Sequence, residues 1–234
     1  MKKTERSKPS AGRTSRASYR RHPMSLVQRI AVTASAVITF AILAALLAYI
    51  LIMGVPNLKP GLFAWHYTSD NCSMTPAIIN TLLMVVLSLL LSVPFGIGAA
   101  IYLVEYAKRG NKLVKVVRLT AETLSGIPSI VYGLFGYLMF VIALNMDKSM
   151  LAGALTLAIM VLPTILRTTE EALKAVPDSF REGSFGLGAG KLRTVFRIVL
   201  PSAVPGIFSG IILAIGRIVG ETAALIFTAG TFSG

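Results

Sequence analysis

Residues 181–201 read REGSFGLGAGKLRTVFRIVLP: four glycines, four basic residues and one acid, then an abrupt return to apolar sequence. The stretch interrupts a chain that otherwise looks made for lipid. Of its 234 residues, 54% are hydrophobic and only 14% charged, with a mean hydropathy of +0.72; a soluble domain carries about a quarter charged residues. Residues 30–53 run for 24 positions without a charge, and about 20 suffice to cross a bilayer. A glycine-rich, charged passage between apolar runs belongs outside the membrane. Its side and its purpose decide how the chain is read.

Charge assigns the side. The net charge is +13, but residues 1–29 hold nine Lys/Arg against one acid, Glu5, a net +8. That tail is rich in Ser, Thr, Arg and Lys and has no apolar periodicity, so it reads as disordered. It suits an N-terminus kept in the cytoplasm and in touch with anionic lipid; no structured nucleic-acid module accompanies it. The first apolar run is too long for a secretory signal and ends in a poor cleavage site, Met53-Gly54-Val55-Pro56, so it reads as an uncleaved span. A single cysteine, Cys72, excludes an internal disulfide framework, and His22 and His66 make no metal site.

Five apolar segments appear, at about 30–53, 77–104, 123–144, 150–166 and 204–229. The joints between them alternate in charge. Loop 54–76 carries only Lys59 and Asp70, and in loop 145–149 Asp147 and Lys148 cancel. The loop between the second and third segments carries Lys108, Arg109, Lys112, Lys115 and Arg118, and the fourth loop carries Arg167, Lys174, Arg181, Lys191, Arg193 and Arg197. The positive-inside rule then places the N-terminus and both basic loops in the cytoplasm. Glycines and prolines inside the spans (Pro94, Gly96, Gly126, Pro128, Gly133, Gly136) suit close helix packing in a bundle. Five spans would leave the C-terminus outside.

Two nucleotide motifs fail in the opening stretch. A phosphate-cradling G-x-x-x-x-G-K-[ST] loop ending at Gly190-Lys191 would need Gly where Phe185 stands and Ser or Thr where Leu192 stands. A G-x-G-x-x-G reading fails because Gly186 and Gly188 lead to Lys191, with no preceding strand. Ser179 and Glu182 instead fit a capping box behind Pro177 and Asp178, predicting a short helix over about 180–187. Glycines break it. A second helix is expected from Lys191, with Leu192, Val195, Phe196 and Val199 as one apolar stripe. A helix, a tight turn and an amphipathic helix over 177–201 suit a docking element.

These residues carry a resemblance. Glu182, Gly188 six positions later, nine residues, then Ile198-Val199-Leu200-Pro201 resembles the EAA motif of ABC importer permeases, with Gly183 and Ser184 in place of its two alanines. Residues 126–133 (GIPSIVYG), 167–170 (RTTE) and 217–223 (RIVGETA) are similar to phosphate importer permeases of the PstA type, over about residues 80–229. The resemblance implies an all-α polytopic membrane protein with the type I ABC importer (MetI-like) bundle. Five spans are visible and a sixth is expected, so the permease domain, 77–234, is expected to be C-terminally incomplete. In that family Glu182, Gly188, Ile198, Leu200 and Pro201 would seat the element on an ATPase subunit. The implied partners are a homologous second permease, an ATPase dimer and an extracytoplasmic phosphate-binding protein in a bacterial-type inner membrane. This chain would bind no nucleotide, metal or nucleic acid, ATP being used by the partner.

Charges inside the apolar runs are the candidate pathway. Arg217 falls near the middle of the fifth segment and Glu221 one turn on, where a charge is costly and marks a pair or a pathway. Either the two form a structural ion pair, or Arg217 lines an anion route with Glu221 holding it; the resemblance implies the second. Arg167 ends the fourth segment, either snorkelling to the interface or, as the resemblance implies, contacting phosphate at the exit. Glu122, Ser129 and Tyr132 are weaker candidates, and Glu122 is placed to pair with Arg118. A permease for another oxyanion or solute, and a membrane scaffold without transport, are the rival readings.

Overall fold

A computed structural model describes residues 23–65, 73–108 and 110–229. The basic stretch 1–22 of the tail lies outside the described residues. The described residues divide into two units, the first over 23–64 and the second taking in 65 and those from 73 onward. In the first, α1 (Pro23–Gly54) is one 32-residue helix, apolar on all sides, which suits a single span. It takes in residues 23–29, expected in the tail, because nothing from Met24 to Gln28 breaks a helix.

The second unit is a helical bundle around one long helix. It comprises α2 (Thr75–Ile101), which ends in a π turn (Tyr102–Tyr106), α3 (Lys112–Ser125), and α4 (Ser129–Gly136), which also runs into a π turn (Tyr137–Ala143). Then come α5 (Met150–Ala175), α6 (Asp178–Gly186), α7 (Lys191–Thr194), which continues through a π turn (Val195–Val199) into α8 (Leu200–Val219), and α9 (Ala223–Thr228). By length and composition four helical stretches can cross a membrane, or five if the bent pair α3–α4 counts as one span.

Three expected spans differ in detail. The third is broken at Gly126-Ile127-Pro128, where α3 and α4 meet at 105°, because proline pushes its preceding residue out of the helical region. The fourth does not end at Leu166 but runs to Ala175, about 39 Å at 1.5 Å per residue, longer than the hydrocarbon core. The fifth is not continuous to Ala229. It begins as one 29-residue stretch at Lys191 and stops at Val219, with Gly220 as its cap.

α5 is the axis. Its Leu157, Met160, Val161 and Ile165 are almost wholly buried, against Met84 and Val85 of α2, Tyr132 of α4, and Ala214 and Ile218 of α8. Further along, Leu173 and Val176 meet Ala100, Ile101, Val195 and Val199. Lipid is as apolar as leucine, so helices in it hold together by close contact. Small residues form the seams: Gly206 faces Ala172 and Gly210 faces Thr168 where α8 crosses α5, and Gly136 of α4 faces Thr156. A Cβ on Gly133 would fall 2.7 Å from the Cα of Ala224 on α9.

Candidate functional site

Arg217 does not sit at mid-span. It lies in the last turn of α8, and Glu221 lies beyond the Gly220 cap. The break removes the one-turn geometry, and no Arg217–Glu221 ion pair forms among the described residues. Glu221 Oε1 instead accepts from the Ala224 amide at 3.1 Å, satisfying a free donor at the start of α9. The half-buried Arg217 reaches sideways, its Nη1 donating to Thr164 Oγ1 of α5 at 3.5 Å. It also lies within electrostatic reach of Tyr132. Tyr132 is buried, and its hydroxyl donates to the Leu124 carbonyl at 2.8 Å, so it braces the α3–α4 bend. Ser129 opens α4.

Thr164, Arg167 and Glu171 fall at i, i+3 and i+7 of α5, and therefore on one helical face. Arg217 thus touches this face at Thr164, and Arg167 lies on it one turn further along α5. Arg167 pairs with Glu171 at 3.3 Å, both well exposed. Behind them Glu170 is 7% exposed and holds Arg118 of α3 at 2.7 Å and Lys174 of its own helix. Arg118 therefore pairs with Glu170, and not with the expected Glu122. Glu122 shares with them a cleft of about 220 Å³ that also takes in Arg167, Glu170, Glu171 and Lys174.

The element over 177–201 is built differently from its sequence reading in two respects. α6 starts at Asp178 with Pro177 at the cap position and no side-chain cap bond, so Ser179 makes no capping box; proline presets the turn before the helix. In α7 and its π turn, Thr194, Val195 and Val199 are buried while Leu192 and Phe196 are exposed. The π turn shifts the face that packs inward. The turn between the helices does need Gly188: its φ is +80°, and its amide donates to the Phe185 carbonyl at 2.9 Å. Ser184 is buried and shares a 2.8 Å hydrogen bond with Thr194, tying α6 to α7. A serine where the family motif has alanine therefore has a local partner.

Beside the burial of Val195 and Val199 against α2 and α5, polar contacts tie this element to the bundle. Arg181, 15% exposed, meets Glu105 of the α2 π turn at 2.7 Å, and donates to the carbonyls of Leu173 and Val176 at the end of α5. Its partner lies 76 positions away, so no local pattern announced it. Lys191 stands 5.1 Å over the Tyr106 ring, a second hold from the same π turn. The outward side is unlike a held loop: Leu187 is 91% exposed, Phe180 and Phe185 about half, and Glu182 stands among them. Ile198 and Leu200 are half-buried and Pro201 exposed. Sequence reasoning passed over Leu187, although an apolar residue between two glycines was visible.

A helical bundle around one over-long axis thus carries an apolar-tipped element pinned on the side of the basic loops. The match to known proteins is specific. Residues 92–233 fit the family described as "Binding-protein-dependent transport system inner membrane component", and the chain belongs to that family. It is 38% identical over 200 residues to the probable ABC transporter permease protein YqgI of Bacillus subtilis, covering 83% of this chain and 67% of that one. It is 42% identical over 154 residues to the phosphate transport system permease protein PstA 1 of Mycobacterium tuberculosis H37Rv, covering 66% of this chain and 49% of that one. With PstA of Yersinia pestis it shares 40% over 178 residues, 75% of this chain and 60% of that one. The chain spans from about half to two thirds of the length of these relatives. Its fold is similar to that of an inward-facing structure of the MetNI methionine ABC transporter, with a TM-score of 0.61 at 23% identity over 67% of this chain and 75% of that one.

Proposed function

We propose that this chain is a permease subunit of an ATP-driven importer and that the solute is inorganic phosphate. The observation that carries the permease role is the pinned element: an exposed apolar tip at Leu187, held by Arg181 to the ends of α2 and α5. An ATPase groove would cover Leu187, Phe180 and Phe185, with Glu182 at its rim. Movement of that ATPase would reach α2 and α5 through Glu105 and Arg181. The chain itself binds no nucleotide; ATP is used by the partner. The N-terminus and both basic loops are cytoplasmic by their charge.

Phosphate is supported by the PstA relatives and by the shared face of α5. Arg217, which contacts Thr164, and Arg167, on the same face of α5, offer two guanidiniums, and a guanidinium fork suits a tetrahedral oxyanion. Two such groups, Arg167 already engaged by Glu171, bind loosely enough to release. That face stays open in this chain, and a homologous second permease would close it, with a phosphate-binding protein delivering from outside. The YqgI relative is a permease whose name gives no solute, which keeps another oxyanion as the competing cargo. Purification from native membrane in mild detergent tests the permease role. An ATPase and a second permease should accompany the wild type and be lost on Glu182→Lys; a chain that emerges alone contradicts it.

A further inference from the structure

The bend between α3 and α4 sets up a site outside the transport machinery. If α4 crosses the membrane, a 105° bend lays α3 nearly in the membrane plane. α3 is strongly amphipathic. Val114 is buried against Leu103 and Leu166, while Leu113, Val116 and Leu119, at i, i+3 and i+6, are each about 60% exposed. Lys112, Lys115 and Arg118 form the adjoining stripe. An exposed apolar stripe beside a basic one is the pattern of a helix resting at the headgroup boundary.

Between α3 and the end of α2 lies a cleft of about 680 Å³. Its floor is apolar, from Leu103, Val104 and Val114. Its rim holds Lys108, Lys112 and Lys115, with Arg118 and Lys174 behind them and Glu122 the one acid. Arg118 and Lys174 are engaged by Glu170. The three other lysines are exposed and have no ion-pair partner among the described residues. The cleft opens at the C-terminal end of the 32-residue apolar stretch Thr75–Tyr106, which is long enough to cross a membrane, and beside the basic loop, where a span is expected to meet the headgroups.

We propose that this cleft binds an acidic phospholipid, its phosphate held by Lys108, Lys112 and Lys115 and its first acyl carbons lying on Leu103, Val104 and Val114. A basic rim over an apolar floor at a span end fits a molecule that is anionic at one end and apolar at the other. A free anion would use the rim alone.

The test uses the complex purified with its co-purifying subunits and placed in phosphatidylcholine nanodiscs containing about a fifth phosphatidylglycerol. Retained phosphatidylglycerol is counted by native mass spectrometry. Each surface cation contributes a several-fold effect, so Lys108→Gln/Lys112→Gln/Lys115→Gln is expected to lower retention about ten-fold or more. Lys2→Gln/Lys3→Gln/Lys8→Gln removes the same charge from the tail and is expected to change it less than about two-fold. Millimolar inorganic phosphate should leave wild-type retention unchanged. Equal retention in the cleft variant overturns the proposal, as does an equal loss in the tail variant. Displacement by inorganic phosphate reassigns the rim to a free anion and also overturns it. The count does not depend on which solute is transported, so it stands apart from the phosphate reading.

Discussion

Where α4 meets α9 and α5, glycines let a backbone lie against its neighbour: Gly133 against Ala224, Gly136 against Thr156. Where α2 and α5 end, buried carboxylates do the joining: Glu105 with Arg181, Glu170 with Arg118 and Lys174. The first kind of seam has one arrangement, because packed backbone tolerates little sliding. The second kind can exchange partners, because a guanidinium leaves one carboxylate for another oxygen without repacking a helix. The proposed permease role needs both, a stiff portion to keep the spans registered and a joint that can move with a partner ATPase. In this bundle the exchangeable pairs gather on the side of the basic loops, next to the element proposed to meet that ATPase.

The largest expected effect is at the joint. Arg181→Met removes the cation from Glu105, 8% exposed, and leaves the Leu173 and Val176 carbonyls without their donor. Breaking a buried pair from one side typically costs about 3–5 kcal/mol, so a marked fall in the detergent melting temperature is expected. Glu105→Gln should cost less, about 1–2 kcal/mol, since glutamine still accepts from Arg181. Equal costs would mean that the carboxylate charge, and not Arg181's reach to the ends of both α2 and α5, makes the joint.

The stiff seam comes next. Gly133→Ala places a methyl 2.7 Å from the Ala224 Cα, which no rotamer change relieves, and overpacking of this kind costs about 1–3 kcal/mol. Gly183→Ala, with open space around the added methyl, should instead be neutral or slightly stabilising in the same melt, because alanine suits a helix better. A harmless Gly133→Ala would show that α9 yields easily and that the two regions do not differ in stiffness.

Smaller still is Glu170→Gln. Its cations are about half exposed, so water compensates much of the loss and about 1 kcal/mol is expected. A double-mutant cycle with Arg118→Gln should give coupling of that size between α3 and α5. The smallest effect belongs to Glu171→Gln, whose exposed pair with Arg167 should contribute less than about 0.5 kcal/mol to stability. A melting change there as large as at Glu170 would place the Arg167 face inside a packed interface.

The same contrast explains what the sequence disclosed. Apolar runs, the alternating charge of the joints and the left-handed turn at Gly188 are local properties, and local patterns report them. The break before Pro128 was also legible, since Gly126-Ile127-Pro128 carries the signal, but hydropathy alone ran through it. The Arg217–Glu221 pair was misread because one-turn spacing presumes a helix that Gly220 has already capped. Glu105 with Arg181 and Arg118 with Glu170 join residues far apart in the chain, and no spacing rule reaches them. The inward face over Thr194–Val199 was missed because a π turn changes the period on which the stripe was counted.

Phosphate uptake by vesicles containing the whole complex, with wild type beside Arg217→Ala, tests the account most directly. Arg217 bridges α8 to the Thr164–Arg167 face of α5, so the substitution is expected to abolish ATP-driven phosphate uptake while the subunits still co-purify and ATP is still hydrolysed. Uptake by Arg217→Ala at the wild-type rate, with assembly intact, would contradict the phosphate route along α5.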